Sequence, residues 1–118
     1  MSSLLQQTLG VGFGPDRRDI AVLQRAGATP GLFWLNGFRS VMTGAKAEAL
    51  DAFGAEIGLM VTRFDYSGHG ASGGAFEAGT VSRWLEEAEA VLGLTAGPQI
   101  LVGSSMGGWL ALLLARRL

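Results

Sequence analysis

The sequence predicts an α/β fold, a mostly parallel sheet with helices on both faces, and three observations predict it. From residue 19 onward strand-like and helix-like patterns alternate. The runs 32–35, 59–64 and 99–103 are apolar almost throughout, as strands covered on both faces are. The stretches between them carry helical periodicity and are long enough for right-handed crossovers.

Residues 19–25, with Ile20, Val22 and Leu23, read as a short strand, and residues 27–31, with Pro30, as the turn that ends it. Leu32-Phe33-Trp34-Leu35 is a buried strand closed by Asn36-Gly37. Around Thr43 a helix begins whose core stripe is Leu50, Phe53 and Ile57, with Ala45, Ala49 and Ala52 beside it and Gly58 as its stop. Leu59 to Phe64 is the next strand. Thr80 can cap a second helix, buried through Val81, Trp84, Leu85, Ala88, Val91 and Leu92, with Glu86, Glu87 and Glu89 towards solvent and Gly93 at its end. Gln99 to Gly103 is a third buried strand. From Ser105 the chain is helical and apolar on nearly all sides through Leu110, Leu112, Leu113 and Leu114. These units, from about 19 to 118, are expected to form one domain.

Composition narrows the function. Nine Lys and Arg against 10 Asp and Glu, a net charge of −1 and no basic run speak against nucleic acid as a partner. With no Cys there is no thiolate nucleophile, disulfide framework or Cys-based metal site. The single His, His69, is the only imidazole available for catalysis within the chain. Residues 1–10 lack a basic start and Gln6 and Gln7 break their apolar run, unlike a secretory signal; residues 109–115, the longest apolar stretch, are too short to span a membrane. A cytoplasmic protein is expected. Glycine stands out at 19 of 118 residues, roughly twice the usual share, and it clusters at 10–14, 68–79 and 103–108.

The third cluster carries the chemistry. Gly103-Ser104-Ser105-Met106-Gly107 follows a buried strand and opens an apolar helix, the context of a nucleophile elbow; the alternative is a plain Gly-rich helix start. Side chains two residues before or after such a serine would collide with neighbouring backbone, so Gly103 and Gly107 are required where they stand. Ser104, with Val102 and Met106 at those offsets, fails that test. The Met106 N–H then points from a helix start towards the place where an oxyanion develops. Phe38, after Asn36-Gly37, offers a second N–H if its strand neighbours the elbow strand; the alternative is an ordinary Asn-Gly turn. Gly70-Ala71-Ser72-Gly73-Gly74 has the elbow's spacing without its context. Gly68, Gly70 and Gly73 also spell a dinucleotide fingerprint, but no helix can start before about Thr80, and that motif needs its third glycine in the first turn. Asp65 reads as a loop carboxylate accepting backbone N–H groups, and His69 as a partly exposed loop residue, neither belonging to a triad. Trp109 either lines an acyl pocket or packs.

From about Asp19 onward these residues resemble the α/β-hydrolase superfamily, through Leu35-Asn36-Gly37-Phe38, the stretch from Arg63 to Ser72 and the turn from Gly103 to Gly108. Gly37-Phe38-Arg39-Ser40, Thr43-Gly44-Ala45-Lys46-Ala47, residues 63–68 and residues 99–110 look like its branch of palmitoyl-protein thioesterases and acyl-glucuronide esterases. Asn36 departs from the pattern, standing where many members have His. The resemblance implies the N-terminal half of that fold, with Ser105 as acyl-accepting nucleophile and the amides of Phe38 and Met106 as oxyanion hole. It implies a small-molecule ester or thioester substrate and no metal or organic cofactor. The triad acid and His follow the elbow helix in this family, so the chain is expected to be truncated and inactive alone. Its open sheet edge, with Leu112 to Leu114 half exposed, invites self-association. The competing expectation is a non-catalytic α/β binding module, either a nucleotide binder through Gly68 to Gly73 or a small interaction protein.

Overall fold

The computed structural model describes residues 4–117; residues 1–3 and 118, the ends of the expected 1–118 domain, lie outside the described residues. In chain order the elements are β1 (Leu4–Val11), β2 (Arg18–Arg25), β3 (Ala28–Leu35), α1 (Ala45–Ile57), β4 (Leu59–Phe64), α2 (Val81–Leu92), β5 (Gln99–Gly103) and α3 (Met106–Arg117). They build one sheet in the order β1-β2-β4-β3-β5. β4, β3 and β5 are parallel, and β1 and β2 add an antiparallel flank.

Because side chains alternate across a sheet, each strand feeds two cores. Ile20, Val22, Phe33, Leu35 and Phe64 meet Trp84, Leu85, Ala88 and Val91 of α2 and Leu110 and Leu114 of α3. On the opposite face Ala21, Leu23 and Met42 form a smaller cluster, and α1 lies against Leu32 and Val61. Helices therefore cover both faces, as the buried strand runs require.

Several sequence expectations are corrected. β1 lies in a stretch with no predicted element: its apolar pattern is interrupted by Gln7, whose amide bonds the Gln24 side chain on β2. The turn expected at 27–31 is the first half of β3. Pairing with β4 slips between Ala28 and Leu32, an irregularity that accommodates Pro30, which has no N–H for the ladder.

The stripe of α1 is turned. Phe53 and Ile57 are half exposed, and the buried residues are Ala47, Asp51 and Gly54. Two contacts set this rotation. Asp51 binds Arg25 at 2.7 Å and Arg63 at 3.3 Å, and the helix approaches β4 so closely at Gly54 that a Cβ there would lie 2.2 Å from Val61 Cγ2.

On α2 the Thr80 hydroxyl caps the Arg83 amide as expected, but Glu87 faces inward. Its carboxylate accepts Arg18 Nε at 2.9 Å and the Ser67 amide at 2.7 Å, so a fully buried charge is paired and hydrogen-bonded. In α3, Leu112 is exposed while Leu114 is fully buried, so only part of the stretch 112–114 is open.

Candidate active site

β5 runs into α3 through Ser104 and Ser105. Ser105 is exposed and adopts φ 56°, a left-handed conformation that costs a side-chain-bearing residue about 1–3 kcal/mol. The flanking glycines make the turn possible. A Cβ on Gly103 would lie 2.2 Å from Gly107 O, and one on Gly107 would lie 2.0 Å from Leu35 O. The turn is thus wedged against the end of β3, which pairs with β5 up to Leu35 and Gly103. Ser104 points elsewhere: its hydroxyl accepts a bond from Lys46 Nζ at 3.1 Å.

The adjacency of β3 and β5 brings residues 36–40 beside Ser105. A Cβ on Gly37 would stand 3.5 Å from Ser105 Cβ. The Ser40 amide closes a turn onto Gly37 O at 3.1 Å, and Arg39 takes φ 61°. Among the described residues the amides of Phe38 and Met106 donate to no protein acceptor. The Met106 N–H thus stands next to an exposed serine at the N-terminus of a helix, a place suited to negative charge, and the Phe38 N–H is on the loop that packs beside that serine.

What holds this loop is β4 and the residues after it. Asn36, fully buried, donates from Nδ2 to Phe64 O at 2.9 Å and accepts Trp34 Nε1. Tyr66 donates to Asn36 O at 2.8 Å. Burial, helped by the nearby Glu87 carboxylate, pushes the Tyr66 phenol far above its ordinary pKa, so it stays a donor. Asp65 accepts the Met42 amide at 2.7 Å and the Ala71 amide at 2.9 Å, the turn-stabilising role read from sequence.

His69 is not partly exposed but buried. Nδ1 lies 3.0 Å from Ser67 O, and Nε2 accepts the Arg39 amide at 3.1 Å. Tyr66, Phe76, Trp84 and Phe38 surround its ring, with centroids 5.3 to 6.3 Å away. With both nitrogens engaged it is not poised to take a proton from Ser105. Spacing could not reveal this, because its partner stands 30 residues earlier in the chain.

The glycine loop before α2 keeps its donors inside. The amides of Gly68, His69, Ala71, Ser72 and Gly73 bond, in turn, Gly73 O, Tyr66 O, Asp65 Oδ2, His69 O and Asp19 O. A Cβ on Gly70 would lie 2.2 Å from Asp65 Oδ2, which accounts for that glycine without a ligand.

A cavity of about 240 Å³ opens beside the serine turn between Trp34, Gly37, Ser40, Lys46 and Ser104. A second, of about 360 Å³, lies between Arg39, Val41, His69 and Phe76. Trp109 is half exposed.

This arrangement of fold and turn is that of a hydrolase scaffold, and residues 12–118 match the model of the alpha/beta hydrolase family. The chain belongs to that family. It is 42% identical over 99 residues to the palmitoyl-protein thioesterase ABHD10, mitochondrial, of Homo sapiens, a match spanning 83% of this chain and 32% of that protein. A crystal structure from Agrobacterium vitis S4 superposes with TM-score 0.95 at 54% identity, covering 98% of this chain and 46% of that one. Mouse alpha/beta hydrolase domain-containing protein 10 superposes with TM-score 0.86 at 38% identity, over 94% of this chain and 44% of that one. The chain thus spans about a third of the length of the curated relatives it matches, and under half of these solved structures.

Proposed function

We propose that the chain carries the nucleophile and the oxyanion hole of a serine hydrolase acting on carboxylic esters or thioesters. The observation that carries this reading is Ser105 held at φ 56° between two glycines that cannot accept a Cβ. Strain of this kind persists where the position of one side chain matters. In the proposed reaction Ser105 Oγ attacks the acyl carbonyl, the amides of Phe38 and Met106 receive the developing oxyanion, and the acyl-enzyme is released by water. The thioesterase named among the relatives favours acyl thioesters as the substrate class.

The proton acceptor for Ser105 does not come from within these residues. Their only imidazole is His69, engaged by Arg39 and Ser67, so the 118 residues alone are expected to turn over ester at a negligible rate. Substantial serine-dependent turnover by the purified chain would overturn that. The dinucleotide alternative draws no support from the glycine loop, whose amides are largely spent on the protein itself. Among the described residues β5 pairs on one side only, and Ile100, Trp109 and Leu112 are exposed near it, which supports self-association of the chain.

The test is labelling with a fluorophosphonate at pH 9 in the presence of added imidazole, which supplies the proton acceptor that these residues do not. Adduct on Ser105, lost in Ser105→Ala and kept in Ser104→Ala, is the expected result. Equal labelling of the two variants would refute the assignment.

A further inference from the structure

We propose that His69 is a positioning residue for the Phe38 amide: it acts as a neutral hydrogen-bond acceptor that fixes the Gly37–Arg39 turn in the conformation that aims that N–H at Ser105. The proposal rests on the serine-nucleophile reading and adds a role to a side chain that reading leaves unused.

Arg39 has φ 61° with a full side chain, which costs about 1–3 kcal/mol, and this segment has no helix or strand ladder to offset it. The Arg39 amide has one acceptor, His69 Nε2 at 3.1 Å. For Nε2 to accept, the ring proton must sit on Nδ1, and Nδ1 lies 3.0 Å from Ser67 O, a carbonyl that can only accept. The hydrogen-bond pattern therefore assigns the neutral Nδ1–H tautomer. The peptide that His69 grips, Phe38 C=O to Arg39 N, is the one next to the peptide that carries the Phe38 N–H. Rotating it would swing that donor away from the space beside Ser105.

The Phe38 ring closes the clamp from the other side. It packs on Phe76 and Trp84 with centroids 5.4 and 5.9 Å away, and on His69 at 6.3 Å. The Arg39 guanidinium lies over the Phe38 and Phe76 rings at 5.5 and 5.3 Å. Phe38 and Arg39 are thus drawn to the same cluster, one by its ring and the other by its amide, with His69 at the centre.

Two substitutions separate the acceptor from the ring. His69→Phe keeps an aromatic ring and removes the acceptor. His69→Gln removes the ring and places Oε1 near the position of Nε2. With the 118-residue chain, Ser105 labelling by a fluorophosphonate at pH 9 with added imidazole is expected to slow at least about tenfold in His69→Phe and to recover to within about threefold of wild type in His69→Gln. Hydrogen exchange at the Arg39 amide should follow the same order, protected in wild type and in His69→Gln only.

A measurement on wild type needs no variant: two-bond ¹H–¹⁵N spectra at pH 8 are expected to show His69 protonated at Nδ1. An Nε2–H tautomer, wild-type labelling rates in His69→Phe, or equal loss in both variants would overturn the proposal, the last because packing alone would then explain the effect. If wild-type Ser105 takes no label while the Arg39 amide is protected, the hydrolase reading fails and the donor role with it, although the anchor exists.

Discussion

Gly107 and Gly108 are adjacent in the first turn of α3, and the same substitution should act on them with opposite sign. A Cβ on Gly107 would lie 2.0 Å from Leu35 O and 2.6 Å from Asn36 O, whereas real Cβ atoms keep at least 3.0 Å from such neighbours. Gly107→Ala therefore forces α3 and the end of β3 apart by about 1 Å. Overpacking of this kind costs about 1–3 kcal/mol. The separation also strains the Ser104 amide bond to Leu35 O and the Tyr66 bond to Asn36 O, at about 1 kcal/mol each. Against this stands the gain of Ala over Gly in a helix, about 0.5–1 kcal/mol, leaving a net loss of about 2–4 kcal/mol. For Gly108 the nearest atom to an added Cβ is Gly103 O at 3.7 Å, an ordinary contact, so only the helix gain is left. Urea unfolding followed by circular dichroism should separate the two variants by about 3–5 kcal/mol at equal m-value. A difference below about 1 kcal/mol would refute the claim that steric exclusion by the β3 end dictates glycine at 107.

Further outcomes follow from the buried charges and the turned helix. Glu87→Ala strands Arg18 and the Ser67 amide, and although Arg18 keeps Asp16 and Glu86, a loss of about 3 kcal/mol in urea unfolding is expected; a cost under 1 kcal/mol would contradict the pairing. The Arg25 hydrogen bond, with the Arg63 charge behind it, holds the Asp51 carboxyl below its ordinary pKa despite burial. Its stabilisation is therefore complete above the unfolded carboxylate's value of about 3.9 and is lost as pH falls through that value towards the lowered folded one. Asp51→Asn should weaken the chain at pH 7 and flatten the acid limb of its stability curve, so an unchanged limb would exclude Asp51 as its source. Phe53→Ser, at a half-exposed position on α1, should cost only about 1 kcal/mol, and a cost of about 3 kcal/mol or more, as for a core phenylalanine, would restore the sequence-based stripe. Ile100→Lys on the open edge should lower the weight-average mass in sedimentation if the chain self-associates through β5.

The parallel half of the fold was legible because each of its strands contains an apolar run and its helices carry local signals, such as the Thr80 cap or Gly58 in the left-handed conformation at the end of α1. The serine turn was legible for the same reason, since its glycines answer contacts made within a few residues and across one strand pair. Contacts distant in sequence left no such trace. Periodicity places Glu87 among solvent-facing glutamates, and it is drawn inward by Arg18, 69 residues away, and by the Ser67 amide, 20 residues away. Leu50, Phe53 and Ile57 form a better apolar stripe than Ala47, Asp51 and Gly54, yet ion pairs to Asp51 and the close approach at Gly54 turn α1 the other way. His69 reads as partly exposed from sequence because the amide that claims it belongs to another strand's exit.

The tethers on the loop carrying Phe38 come from its own strand β3, through Trp34, and from β4 and the segment after it; none comes from the open side of β5. The apparatus that would receive negative charge is therefore finished on one flank of the serine before anything is added on the other. On the proposed serine-nucleophile reading, a base brought to the free edge of β5 would meet a receptor already set, so a separately expressed fragment supplying one could be assayed for complementation without rebuilding these contacts.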